Sequence, residues 1–230
     1  MSERFFLSMP PRDGRAVLAG DEARHLARVM RCTVGDEVVV FDGSGTSWRA
    51  RVASIGRDEV VLDLGEAVTA SRPPRVPLTL AVALPKGERQ KWLVEKLTEL
   101  GVGRLVPLAT TRGVAEATPA AIERLARGVI EACKQCGRDA LMTIAPPQSV
   151  AEIARDAENG ATLVIADRDG LSLEAVAAAG RSVIALVGPE GGFTAEELAT
   201  IEAAGGRRVS LGPHVLRVET AAIALAARLA

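Results

Sequence analysis

The chain has 230 residues with 28 Lys+Arg against 29 Asp+Glu, a net charge of −1, so no global basic field marks it for nucleic acid. A local basic stripe stays open, because acids elsewhere cancel the total, whereas the absence of Tyr argues against a surface of stacked bases. Hydrophobic residues at 48% suffice for one large or two small domains, and three cysteines supply no disulfide framework and fit a reducing cytoplasm.

The N-terminal MSERFFLSMPPRDGR lacks the long apolar stretch of a signal peptide, and no run reaches the length of a membrane span. RFFL predicts a first strand. DEARHLARVMR predicts a helix on which Arg24, Arg28 and Arg31 fall at i, i+4 and i+7, forming one basic face. Leu26, Val29 and Met30 fall on another side, expected to be buried. EVVVF (Glu37–Phe41), SWRARVAS (Ser47–Ser54) and EVVLDL (Glu59–Leu64) are short β-branched runs separated by Asp42-Gly43-Ser44-Gly45 and Gly56-Arg57-Asp58. Strands this short and evenly spaced predict a small antiparallel barrel. The three prolines of ASRPPRVP, Ala70 to Pro77, mark a linker that divides the chain near residue 74.

Beyond the linker the pattern alternates between strand and helix. LTLAVAL (Leu78–Leu84) reads as a buried strand and ERQKWLVEKLTELG as a helix ended by Gly101. RLVPLAT follows, then a helix from Pro119 to Gln135, the strand ATLVIAD (Ala161–Asp167), a helix starting near Ser172, and the strand VIALV. Such alternation predicts an α/β domain with a mainly parallel sheet covered on both faces. Cys133 and Cys136 form a C-x-x-C on a helical pattern with no second pair; two small buried residues explain it better than zinc, and no metal is expected.

Two glycine-rich breaks near the C-terminus carry the chemistry. In LVGPEGGFTAEEL and VSLGPHVLRVETAA an apolar run stops at Gly-Pro and a helical pattern resumes. Loops at strand ends are where α/β sheets bind ligands, and two so close together predict one pocket. Gly188, Gly191 and Gly192 allow close backbone approach and positive φ, and Thr194 with Glu197 reads as a capping box. The loop is neither G-x-G-x-x-G nor Walker A. Glu190 within it repels phosphate but suits a cationic, amino-bearing or hydroxyl-bearing ligand. Arg217, placed on a helix's first turn, opposes the macrodipole, and such local inconsistency marks function. Glu219 on the same turn is either a favourable first-turn acid or functional.

These segments resemble the RsmE family, SPOUT-class ribosomal RNA uracil-N3 methyltransferases. RFFL, HLARVMR (His25–Arg31) and GDEVVVFDGSG resemble its N-terminal PUA-like barrel. ALPKGERQKWLVEKLTELGV, EACKQCGR, LVGPEGGFTAEEL and LGPHVLRVETAA resemble its catalytic domain. The resemblance implies an RNA-binding PUA-like β-barrel over residues 1–72 and a SPOUT methyltransferase domain over 73–230 with a trefoil knot. It also implies a homodimer, S-adenosylmethionine as cofactor, and methylation of one uridine of 16S ribosomal RNA, uracil 1498. The implied cofactor pocket comprises Leu163, Ala166, Leu186, Gly188, Glu190, Gly192, Leu211, Gly212 and Leu216. Arg217 is the implied polar residue nearest the uracil, and Glu219 has a weaker role in orientation or proton removal. His214 is expected to pack or hydrogen-bond locally. Arg4, Arg24, Arg28, Arg31, Lys86, Arg89, Arg112 and Arg138 are the implied RNA contacts, although TTRGV around Arg112 departs from the family's Glu-Arg-Ser/Cys pattern. Other readings of the activity are a different rRNA or tRNA target, or a ribosome-associated RNA binder without catalysis.

Overall fold

Short β-branched runs and glycine turns produce a five-stranded curled sheet in the N-terminal part of the computed structural model, which describes residues 3–69, 77–157, 160–173 and 182–230. Its strands are β1 (Arg4–Phe6), β2 (Arg15–Ala19), β3 (Glu37–Phe41), β4 (Thr46–Ile55) and β5 (Glu59–Thr69), in the order β1-β3-β4-β5-β2. All neighbours pair antiparallel except β1 and β3, which run parallel, so the sheet is not the uniformly antiparallel one expected. Alternating positions such as Val38 and Val40, or Val60 and Leu62, fill its core with Phe5, Leu18 and Leu26.

The helix predicted around DEARHLARVMR is shorter and distorted. Helix α1 (Gly20–Arg24) runs into a π-helical turn over His25–Val29, and Arg31 lies beyond it with φ of 57°. The wider turn rotates side chains away from 3.6-residue positions. Val29, expected to be buried, is 64% exposed, and the three arginines do not share one continuous helix face. All three are nonetheless exposed.

Most of the expected linker, residues 70–76, lies outside the described residues. Compact packing divides the chain into residues 1–73 with 130–141, and residues 74–129 with 142–230. The division therefore differs from a single cut: residues 130–141, in the C-terminal half by sequence, pack with the curled sheet. Three ties explain this placement. Arg4, its guanidinium over the Phe41 ring at 5.1 Å, forms an ion pair with Asp139, whose other carboxylate oxygen accepts from Ser47 Oγ at 3.1 Å. Lys134 Nζ lies 2.7 Å from Glu22, whose second oxygen accepts from the Phe6 N–H. The Leu141 N–H donates to the Gly43 carbonyl.

The second unit holds a seven-stranded, all-parallel sheet among the described residues. Its members are β6 (Leu78–Val82), β7 (Arg104–Ala109), β8 (Thr143–Ile144), β9 (Gln148–Ser149), β10 (Thr162–Ser172), β11 (Val183–Val187) and β12 (Arg207–Ser210). The order is β12-β10-β11-β6-β7-β8, with β9 on β7. The helices are α2 (Arg89–Glu99), α3 (Pro119–Cys136, which passes into the other unit at Ile130), α4 (Val150–Ala157), α5 (Ala195–Ala203) and α6 (Val218–Leu229). Side chains of Leu163, Ile165, Ile184 and Leu186 pack with Ile153 of α4 and Ile201 of α5. Alternate positions such as Val164 and Ala185 are buried too, so both strand faces are covered, and the alanine-rich α6 packs on α2, β6 and β11. Strand β10 continues to Ser172, where the sequence pattern predicts a helix start; residues 174–181 lie outside the described ones. In the C-x-x-C, Cys133 is buried but Cys136 is exposed, so the two do not form one buried face. Burial pushes the Cys133 thiol up to about 11.

The Arg4–Asp139 pair is largely withdrawn from water, with 18% and 13% of its side chains exposed. Asp139→Ala leaves that guanidinium uncompensated and should destabilise its unit by about 3 kcal/mol. Urea denaturation checks this, and a loss within the surface-pair range, below about 1 kcal/mol, would show the pair to be incidental.

Candidate active site

Because β10, β11 and β12 are parallel neighbours, their C-terminal ends emerge side by side on one rim of the sheet. The loops leaving β11 and β12, with a stretch inside β10, border a cavity of about 440 Å³, within the roughly 300–1,000 Å³ common for small-molecule sites. The stretch of β10 where its pairing with β12 shifts register contributes Ala166, Asp167 and Arg168. After β11 come Gly188, Pro189, Glu190, Gly192 and Phe193, and after β12 come Leu211, Gly212 and His214 to Val218. The two glycine-rich breaks thus meet in one cavity, with the irregular stretch of β10 between them.

Local chemistry explains the first loop. Gly192 has φ of 67°, a conformation costly for any residue with a Cβ, and its N–H closes a turn on the Pro189 carbonyl at 2.8 Å. Gly188 is required for a different reason: a Cβ there would stand 2.9 Å from the Phe193 ring. The capping box is present, with Glu197 N–H donating to Thr194 Oγ1 at 3.2 Å and Thr194 N–H to Glu197 Oε2 at 2.8 Å. Glu197 has a second task that no local pattern shows. Its Oε1 accepts from Thr111 N–H at 2.8 Å and Thr111 Oγ1 at 3.1 Å, while Arg112 Nη1 donates to the Gly191 carbonyl at 2.7 Å. The segment after β7 is thereby stitched to the loop after β11. Burial tends to raise the Glu197 pKa, but hydrogen bonds from Thr111 and Thr194 outweigh it and hold the carboxyl below its ordinary value.

The second loop ends where Arg217, in extended conformation (φ −65°, ψ 155°), forms the N-cap of α6 without a side-chain capping bond. Arg217 is exposed and lines the cavity. His214, expected to pack locally, is exposed on the cavity lining. Glu219 is buried, 5% exposed, and its Oε2 lies 3.5 Å from Arg89 Nη1.

Of the expected cofactor residues, Ala166, Gly188, Glu190, Gly192, Leu211, Gly212 and Leu216 border the cavity. Leu163 and Leu186 do not: strand alternation turns both into the core beneath α4 and α5. Among the expected RNA contacts, Lys86, Arg24, Arg28 and Arg31 are exposed. Arg4 is committed to Asp139, Arg89 to Glu190 and Glu219, and Arg112 to Gly191. Arg138 is half-buried, and that burial draws its guanidinium below the ordinary value. Asp167, Arg168 and Phe193 are cavity residues that sequence reasoning missed; the strand predicted to end at Asp167 was the available signal for the first two.

Residues 72–230 match the model of the RNA methyltransferase domain, and residues 18–65 match the RNA methyltransferase PUA domain. The ribosomal RNA small subunit methyltransferase E of Mycobacterium tuberculosis is 32% identical over 225 residues, spanning 94% of this chain and 86% of the relative. The chain belongs to this methyltransferase family. The Synechocystis member is 31% identical, over 91% of this chain and 70% of its own length. Among solved structures, the Neisseria gonorrhoeae member bound to S-adenosyl methionine superposes with a TM-score of 0.89 at 27% identity, covering 99% of this chain and 96% of that one. A Legionella pneumophila protein in complex with the same cofactor gives 0.90 at 26%, covering 100% and 97%.

Two outcomes follow from the loop geometry. Gly188→Ala should displace Phe193 from the cavity wall and weaken ligand binding about tenfold or more, read by calorimetric titration. The Glu197 contribution to stability is complete above the ordinary carboxyl value of 4.5 and fades as pH falls through the lower folded value. Glu197→Gln should therefore be less stable than wild type at neutral pH, with the difference in denaturation midpoint vanishing in acid.

Proposed function

We propose that this chain is an S-adenosylmethionine-dependent methyltransferase that methylates N3 of a specific uridine in 16S ribosomal RNA. In this reading it works in the cytoplasm as a homodimer, with the catalytic chain threaded through the trefoil knot of the SPOUT class. The cavity at the rim of β10, β11 and β12 is the observation that carries it.

The cavity's lining fits the cofactor. Val187, Leu211, Leu216, Val218 and Ala221 supply apolar surface for a base and its stem, and Glu190 offers a carboxylate to a cation. A cavity in which Asp167 and Glu190 balance Arg168 and Arg217, with no lysine in its glycine loop, suits a sulfonium better than a phosphate. When bound, the cofactor supplies an electrophilic methyl group on positively charged sulfur.

The protein's own part is placement and electrostatics. Loops anchored by the Thr194–Glu197 box and the Arg112–Gly191 bond hold the lining in one shape before the ligand arrives. Uracil N3–H is a weak acid, so negative charge on O2 and O4 must be stabilised as its proton leaves for a water or a neighbouring acceptor. Arg217, whose side chain lies on the lining and makes no capping bond to α6, is the residue we assign to stabilise that charge. The exposed Arg24, Arg28 and Arg31, on the surface of the PUA-type unit, supply phosphate contacts that fix the RNA without reading its bases.

Calorimetry with S-adenosylmethionine should give binding heat, and ribosomal RNA from a deletion strain should lack one N3-methyluridine by mass spectrometry. Binding heat with intact rRNA methylation would move the target elsewhere, and no heat would leave a pure RNA binder. Arg217→Ala should lower kcat by about 100-fold or more with smaller change in cofactor affinity, as for loss of one oxyanion donor; equal loss of both would refute the assignment. Replacing Arg24, Arg28 and Arg31 together should weaken RNA binding and flatten its salt dependence. The slope of log affinity against log salt should fall by roughly 0.7–0.9 for each phosphate no longer neutralised.

A further inference from the structure

Arg89 opens α2 although a cation there opposes the helix dipole, and the first turn of α2 contains no acid to compensate. Its Nη1 lies 3.4 Å from Glu190 Oε1 and 3.5 Å from Glu219 Oε2. Glu219 is the deeper partner: its side chain is 6% exposed, against 38% for Arg89 and 45% for Glu190. Its Oε2 is buried with no hydrogen-bond partner among the described residues. A buried carboxylate with an unmade hydrogen bond is costly, so one close cation and the N-terminal dipole of α6 must hold it there.

We propose that Arg89 and Glu219 are positioning residues: Glu219 anchors Arg89, and Arg89 fixes the Glu190 carboxylate on the cofactor cavity. Three segments meet at this guanidinium, namely the start of α2, the loop after β11 and the start of α6. Two of the three line the cavity; the third does not. Glu190 is exposed on a loop and would sample several rotamers if left alone. The guanidinium selects one of them. Two carboxylates sharing one cation also leave the trio at a net −1, so Glu190 retains attraction for a positively charged ligand despite its partner. This assigns Glu219 the task of anchor, not proton acceptor, since its buried carboxylate lies against Arg89 at the start of α6.

The inference rests on the functional reading above, and calorimetric titration of the full-length protein with S-adenosylmethionine tests both. Arg89→Gln and Glu219→Gln should each weaken binding about tenfold, equivalent to about 1.4 kcal/mol. The double variant should be no weaker than the worse single one, because either change releases Glu190. Arg89→Lys, which keeps a cation, should recover part of the loss. Melting temperatures accompany each titration. Arg89 is partly exposed, so its variants carry the test even where the buried Glu219→Gln fails to fold. Wild-type protein without binding heat sinks the functional reading and this proposal with it. Wild-type heat with unchanged Arg89→Gln affinity, or additive losses in the double variant, overturns the proposal alone. A kcat loss in Glu219→Gln with intact cofactor affinity would make Glu219 the base and overturn it equally.

Discussion

Parallel pairing of β10 with both β11 and β12 is the constraint on which the site depends. Parallel neighbours end on the same rim, so the loops after β11 and β12 and the β10 stretch between them lie within about 10 Å of one another, two strand spacings. Each has its own local device: a glycine turn and capping box after β11, an extended Arg217 after β12, and the Ala166–Arg168 segment where the β10 register shifts. None of these devices makes a cavity alone. The core beneath α4 and α5 fixes the strands that aim them.

Features governed by neighbours in sequence were legible beforehand. The capping box, the glycine breaks and the long α3 follow from residues within four positions of one another, whereas α4 and the run of β10 to Ser172 were not read. Features governed by distant partners were not. Leu163 and Leu186 belong to the core because strand alternation meets helices whose positions no local window reveals. Residues 130–141 pack with the curled sheet because Asp139 and Lys134 find Arg4 and Glu22, more than a hundred positions away. The π turn at His25–Val29 misplaced Val29 and Arg31 for a subtler reason: the sequence carries the helical pattern, and one wider turn shifts its phase.

Arginine use shows the same divide. Read along the sequence, every arginine in a motif looks equally available to RNA. In the fold, Arg4, Arg89 and Arg112 are occupied by an aspartate, two glutamates and a carbonyl, and they hold structure together. Arg24, Arg28 and Arg31 remain on the surface, with Arg24 paired to the exposed Asp21. An exposed i,i+3 pair of that kind is weak, so it yields readily to a phosphate. The near-zero net charge thus conceals a division between arginines tied to distant segments of the fold and arginines that are not.

The charge at the cavity explains why a glycine loop at a helix start need not be a phosphate site. The N-terminus of α5 offers N–H groups, as any helix start does, but Thr194 and Glu197 already use that end for the capping box. Glu190 then adds a carboxylate where a phosphate site would need a lysine. The charged side chains on the lining are mixed, Asp167 and Glu190 against Arg168 and Arg217, so an entering anion meets both signs and no lysine in the glycine loop. A cation meets the Glu190 carboxylate on the loop after β11. The same glycine geometry that elsewhere cradles phosphate is here joined by a glutamate in place of a lysine, which disfavours a phosphate at this loop.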